Sequence, residues 1–143
     1  MTLREWVEQH RDEVIAEPSD AAFLAMHQKL ARRELEDAEG VRSHDGQIEH
    51  AHAACLAIAR AALAASGYRV RSLTEAHHYL LLDSLRYTLA LTGREVEMLQ
   101  GYRKLRHRVM YQQVGAASES VAQSALAFAH QLLEKLREKL GST

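Results

Sequence analysis

The 143-residue chain predicts an all-α fold, an antiparallel up-and-down bundle of four to five long helices with a short N-terminal helix laid against it. Three observations carry that expectation. Apolar residues recur at helical rather than alternating spacing, and β-branched residues are few and scattered, so no strand pattern competes. Cap residues and glycines punctuate the chain at helix-length intervals. A single proline, Pro18, interrupts it near the start.

The elements follow in order. Thr2 with Glu5 is a capping-box pattern, which predicts a first helix over about residues 2–16, stopped by Pro18. Ser19 or Asp20 caps a second helix that runs to Gly40. Ser43 or Asp45 caps a third, ending at Gly67, and Ser72 with Glu75 opens a fourth that ends near Leu91. Thr92 with Glu95 opens a fifth that ends before Gly115. Ser120 with Gln123 opens the last, which ends at Gly141. No repeat or interdomain linker is visible, so residues 1–143 read as one domain.

Composition bounds the function classes. The formal net charge is -1, so a nucleic-acid partner would have to be held by a local patch and not by bulk charge. Cys55 is the one cysteine and cannot form an internal disulfide, which fits a reducing compartment. The N-terminal segment is charged and lacks an apolar signal core, and no apolar run approaches a membrane span. A cytoplasmic protein that does not engage a membrane is the expectation.

The fifth helix holds the densest positive charge, Tyr102 to Tyr111, written YRKLRHRVMY. Unrolled at about 100° per residue, Met98, Tyr102, Leu105 and Val109 form one apolar stripe. Val96, Leu99, Met110 and Val114 form a second. Lys104 and Arg108 fall on the solvated side. Arg106 falls between the stripes and Arg103 lies on the second, with His107 and Tyr111 at its margin. A guanidinium inside an apolar arc requires a carboxylate, a cleft or an interface. Glu34, on the stripe of Phe23, His27 and Leu30, is one candidate partner for Arg106.

Polar groups also mark the apolar faces of two other helices. His52 shares a side with Ile48, Cys55, Ala59 and Leu63. His77, Ser84 and Thr88 fall among Leu80, Leu81 and Leu91. Such histidines either bond backbone within a core or, with Arg106 and His107, line one polar pocket. No metal-ligand set is expected. His50 and His52 diverge around a helix, as do His77 and His78, and His52 with Cys55 has no further local ligand. Phosphate-cradling glycine motifs and nucleophile elbows are absent, and no cofactor is expected. No basic recognition helix stands out.

The order of long helices, the Ala-rich stretch AHAACLAIARAALAASGYRV and the arginine motif near the end of the penultimate helix resemble the HEPN domain (higher eukaryotes and prokaryotes nucleotide-binding) over about residues 20–140. Many members carry R-x(4–6)-H and act as metal-independent endoribonucleases, some as toxins of toxin–antitoxin pairs. Others lack the motif and serve as binding or scaffold modules. Members commonly dimerise so that two motifs face one cleft. The resemblance sets Arg106 on the motif arginine, His107 where asparagine is common, and Tyr111 where the histidine is expected. A tyrosine, with an ordinary pKa of about 10, is a poor base near neutral pH, whereas histidine suits that work. The resemblance implies Arg106 and Arg103 holding a scissile phosphate, His107 moving the proton from the ribose 2′-hydroxyl, and Tyr111 hydrogen-bonding the phosphate or orienting a neighbour. His52 and His77 would line the substrate side. It also implies a homodimer, RNA or nucleotide as ligand, and an antitoxin as a further partner. The alternative is a non-catalytic helical dimer that serves as an interaction module.

Overall fold

A computed structural model describes residues 1–71 and 77–141. Their elements are α1 (Leu3–Gln9), β1 (Val14–Ala16), α2 (Ala21–Gly40), α3 (His44–Ala65), β2 (Tyr68–Val70), α4 (His78–Thr88), α5 (Gly93–Tyr111) and α6 (Glu119–Leu140). The fold is an all-α bundle organised around α3, which packs on α2, α4, α5 and α6.

The sequence of α3 explains its place. Every residue from Ala54 to Ala59 is buried, so the helix is apolar all round its middle and belongs at the centre of a bundle. Its alanines, among them Ala54, Ala57, Ala61 and Ala62, let neighbouring helices approach, and Ile58, Leu63, Leu82, Leu85, Leu132 and Leu136 fill the remaining volume.

The local stop and start signals are largely as the sequence indicates. Thr2 accepts from the Glu5 N–H at 3.2 Å, Asp20 from that of Ala22 at 2.9 Å, and Ser43 from that of Gly46 at 3.0 Å. Thr92 and Glu95 form a reciprocal capping box. Gly141 ends α6 in the left-handed conformation, φ 72°. The last helix is capped by Ser118 and not by Ser120, because the Asp45 carboxylate accepts from the N–H groups of Gly115 and Ala117 and so fixes where the connecting loop ends. The Ser72–Glu75 pair lies outside the described residues.

Two expectations are corrected at the N-terminal end. The first helix stops at Gln9 rather than near residue 16, and a two-stranded ribbon exists where no strand was expected. At the helix end the His10 ring Nδ1–H donates to the Trp6 carbonyl at 2.8 Å. Val14–Ala16 then pairs antiparallel with Tyr68–Val70, Val14 opposite Val70 and Ala16 opposite Tyr68. A three-residue ribbon is marginal alone. Here Val14 and Val70 are both buried in the main core, and Arg69 pairs with Glu17 at 2.7 Å on the outer side. Trp6 anchors α1 to α4, its indole N–H donating to Asp83 at 2.8 Å.

Candidate functional site

The α3–α4–α5 junction gathers most of the polar groups that fall on apolar faces. His52 projects from the middle of α3 and is 4% exposed. His78, the first residue of α4, is also buried, and its Nδ1 stands 3.4 Å from His52 Nε2. One ring donates and the other accepts. Burial, then the neighbouring His78, then the charges of Arg106, Arg103 and Arg60 push the His52 pKa down to about 3. The His52 imidazole is therefore neutral at pH 7. It is far too weak a base to remove a proton there, but it can form a hydrogen bond to a bound group.

Arg103 and Arg106, both half-buried, approach this pair from α5. Arg103 is oriented from two sides. Its Nε–H donates to the Gln100 side chain at 2.7 Å, and its guanidinium carbon lies 5.6 Å from the centre of the Tyr79 ring. Gln100 in turn donates to the Tyr79 backbone carbonyl at 3.0 Å, tying α5 to the first turn of α4. No carboxylate pairs with Arg103 among the described residues. His78 is the first residue of α4, so the positive end of that helix lies at the same corner.

The remaining expected residues are more peripheral. His77 precedes α4 as its half-buried N-terminal flank. His107 and Tyr111 are exposed one turn apart on α5, their ring centres 4.9 Å apart and tilted by 51°. Glu34 is held by the His50 ring at 2.7 Å. Ser84 and Thr88 donate back to the carbonyls of Leu81 and Ser84 within α4 and are ordinary buried hydroxyls. Among the described residues no group of three or more His, Cys, Asp or Glu could hold a metal ion. No described helix is long and apolar enough to cross a membrane.

Sequence reasoning missed His78, Tyr79 and Gln100. Gln100 carried a signal, since it stands one helical turn before Arg103 and can orient it. His78 carried one too, since it stands three, four and seven residues before Leu81, Leu82 and Leu85 and so shares their buried face. No family model matches the chain, and no curated protein matches it.

Proposed function

We propose that this protein is a HEPN-like module that binds single-stranded RNA or a nucleotide phosphate at the α3–α4–α5 junction, with metal-independent RNA cleavage as its activity. The observation that carries the reading is the orientation of half-buried Arg103 by Gln100 and Tyr79, with no carboxylate neutralising it among the described residues. A guanidinium held in that way is preorganised for a phosphate. Neutral His52 and the positive end of α4 line the same corner. In this reading Arg103 and Arg106 hold the scissile phosphate and stabilise its developing charge. His107 takes the 2′-hydroxyl proton, and Tyr111, packed on it, orients the ring.

The test measures binding of a fluorescent single-stranded RNA and its cleavage in EDTA. Wild-type protein should bind with an affinity that falls with salt, and Arg103→Gln should weaken binding about tenfold. His107→Ala should abolish cleavage while binding persists. Unchanged affinity in Arg103→Gln would remove the site.

A second reading, a non-catalytic helical dimer, is favoured by one observation. Met110, Tyr111 and Val114 leave 41%, 59% and 94% of their surface exposed at the end of α5 and just beyond it. Sedimentation at micromolar concentration should then show a dimer that Met110→Asp dissociates. If the wild-type protein binds RNA without cleaving it, the motif face serves as a binding or dimerisation surface, and a partner such as an antitoxin would be sought there.

A further inference from the structure

A second cleft lies on the opposite stretch of α3, between α2, β2 and α4. Its volume is about 510 Å³, within the range of small-molecule sites. Phe23, Met26, Leu63, Val70 and Leu81 supply apolar walls. Arginines supply the polar part. Arg69 is already paired with Glu17, whereas Arg60 and Arg71 have no carboxylate partner among the described residues.

Arg60 is the unusual member. It extends from the most buried part of α3, and its Nε–H is sealed from solvent without a hydrogen-bond acceptor. Leaving such a donor unmade is costly, and for a cation the cost includes lost hydration. Burial accordingly lowers the Arg60 pKa. Nearby His27 offers no negative charge. Burial lowers its pKa, its Nδ1–H donates to the Phe23 carbonyl at 3.0 Å, and its ring stacks on Phe23 at 4.0 Å. The cleft thus combines a partly dehydrated guanidinium with an apolar wall and no internal counter-charge among the described residues.

We propose that this cleft binds a small organic monocarboxylate, its carboxylate paired with Arg60 and its apolar body laid against Phe23, Leu63 and Leu81. A carboxylate matches the planar guanidinium and repays its lost hydration. A single negative charge is favoured over a dianion because Arg60 is the one half-buried cation in the cleft, whereas Arg71 is exposed and screened by solvent, so a second charge on the ligand would be desolvated without a matching partner. Exposed Met26, at 55%, is a flexible apolar lip that adapts to the shape of the ligand body. The site is separate from the α5 face and does not depend on the RNA reading.

The test uses calorimetric titration of the intact protein with 4-phenylbutanoate, with 4-phenylbutanol as the uncharged analogue and inorganic phosphate as competitor. The acid should bind saturably, one per chain, and at least tenfold tighter than the alcohol. Phosphate in tenfold excess should leave acid binding unchanged. Arg60→Gln should weaken the acid at least tenfold, and Arg103→Gln should have no effect on it. Met26→Glu places a like charge at the exposed lip and should weaken the acid similarly, which keeps the test open if Arg60→Gln fails to fold. Absence of saturable binding, equal affinity for acid and alcohol, competition by phosphate, or loss of binding in Arg103→Gln would each overturn the proposal.

Discussion

His52 Nε2 meets His78 Nδ1 at 3.4 Å, so two buried imidazoles from different helices share one edge in the centre of the α3–α4–α5 junction. Two protonated rings could not remain so placed. Burial, followed by the neighbouring imidazole and three arginine charges, holds the His52 pKa at about 3, whereas an unfolded histidine titrates near 6.5.

This relationship sets an acid limb for stability. Between about pH 6.5 and 3 the unfolded chain binds a proton that folded His52 does not. The stabilisation is therefore fully present above pH 6.5 and is lost as pH falls toward 3, with a slope of up to about 1.4 kcal/mol per pH unit. His27, also held low by burial, adds in the same direction. Urea unfolding at steps from pH 7 to 4 should show this slope, and His52→Gln should flatten it whatever its effect at pH 7. An unaltered slope in the variant would assign the acid limb to other groups.

The Trp6–Asp83 hydrogen bond is the specific tie between α1 and α4. Asp83→Ala leaves the buried indole N–H without its acceptor and should lower stability by about 1–3 kcal/mol. Asp83→Asn retains an acceptor oxygen and should cost less. Tryptophan fluorescence reads the same event, since Trp6 is the one tryptophan and is 2% exposed. Its emission should shift to the red in Asp83→Ala if α1 detaches before the bundle unfolds.

Features that depend on a few adjacent residues were legible in the sequence. The Thr92–Glu95 box and the Asp20 and Ser43 caps are local contacts, and helical spacing alone put His52 among Ile48, Cys55 and Leu63. What escaped depends on distant partners. Val14–Ala16 is a strand only because Tyr68–Val70 lies beside it, and each segment is too short to carry a period. Arg106 was readable as a polar group in an apolar arc. The support of Arg103 by Tyr79 needs the α4–α5 packing that brings them together. The Arg60 cleft was missed although an arginine within an Ala-rich stretch is a signal. Its meaning required knowing that α3 is central and that α2 and β2 leave a gap beside it.

Cys55 should be chemically silent in the folded protein. It is fully packed in α3, and burial pushes its thiol up to about 12. The thiolate is the reactive form, so both access and ionisation are suppressed. A disulfide reagent at pH 8 should react negligibly with native protein and with one thiol per chain in denaturant. Rapid native labelling would show that α3 opens locally.

The last prediction separates the charge of Arg103 from its shape. Arg103→Lys keeps the positive charge, but it removes the Nε–H bond to Gln100 and the planar face above Tyr79. If the RNA reading holds, Arg103→Lys should weaken binding several-fold, with the salt dependence of affinity nearly unchanged, because the number of neutralised phosphates is the same. Arg103→Gln should weaken binding further and reduce the salt slope by about one. Neither change should alter stability by more than about 1 kcal/mol, since the side chain is half-exposed and its removal strands no carboxylate among the described residues. Tyr79→Leu removes the ring under the guanidinium and should resemble Arg103→Lys in both affinity and slope. Equal affinities for wild type and Arg103→Lys would mean that Arg103 acts as a diffuse surface charge and that Gln100 and Tyr79 contribute no preorganisation.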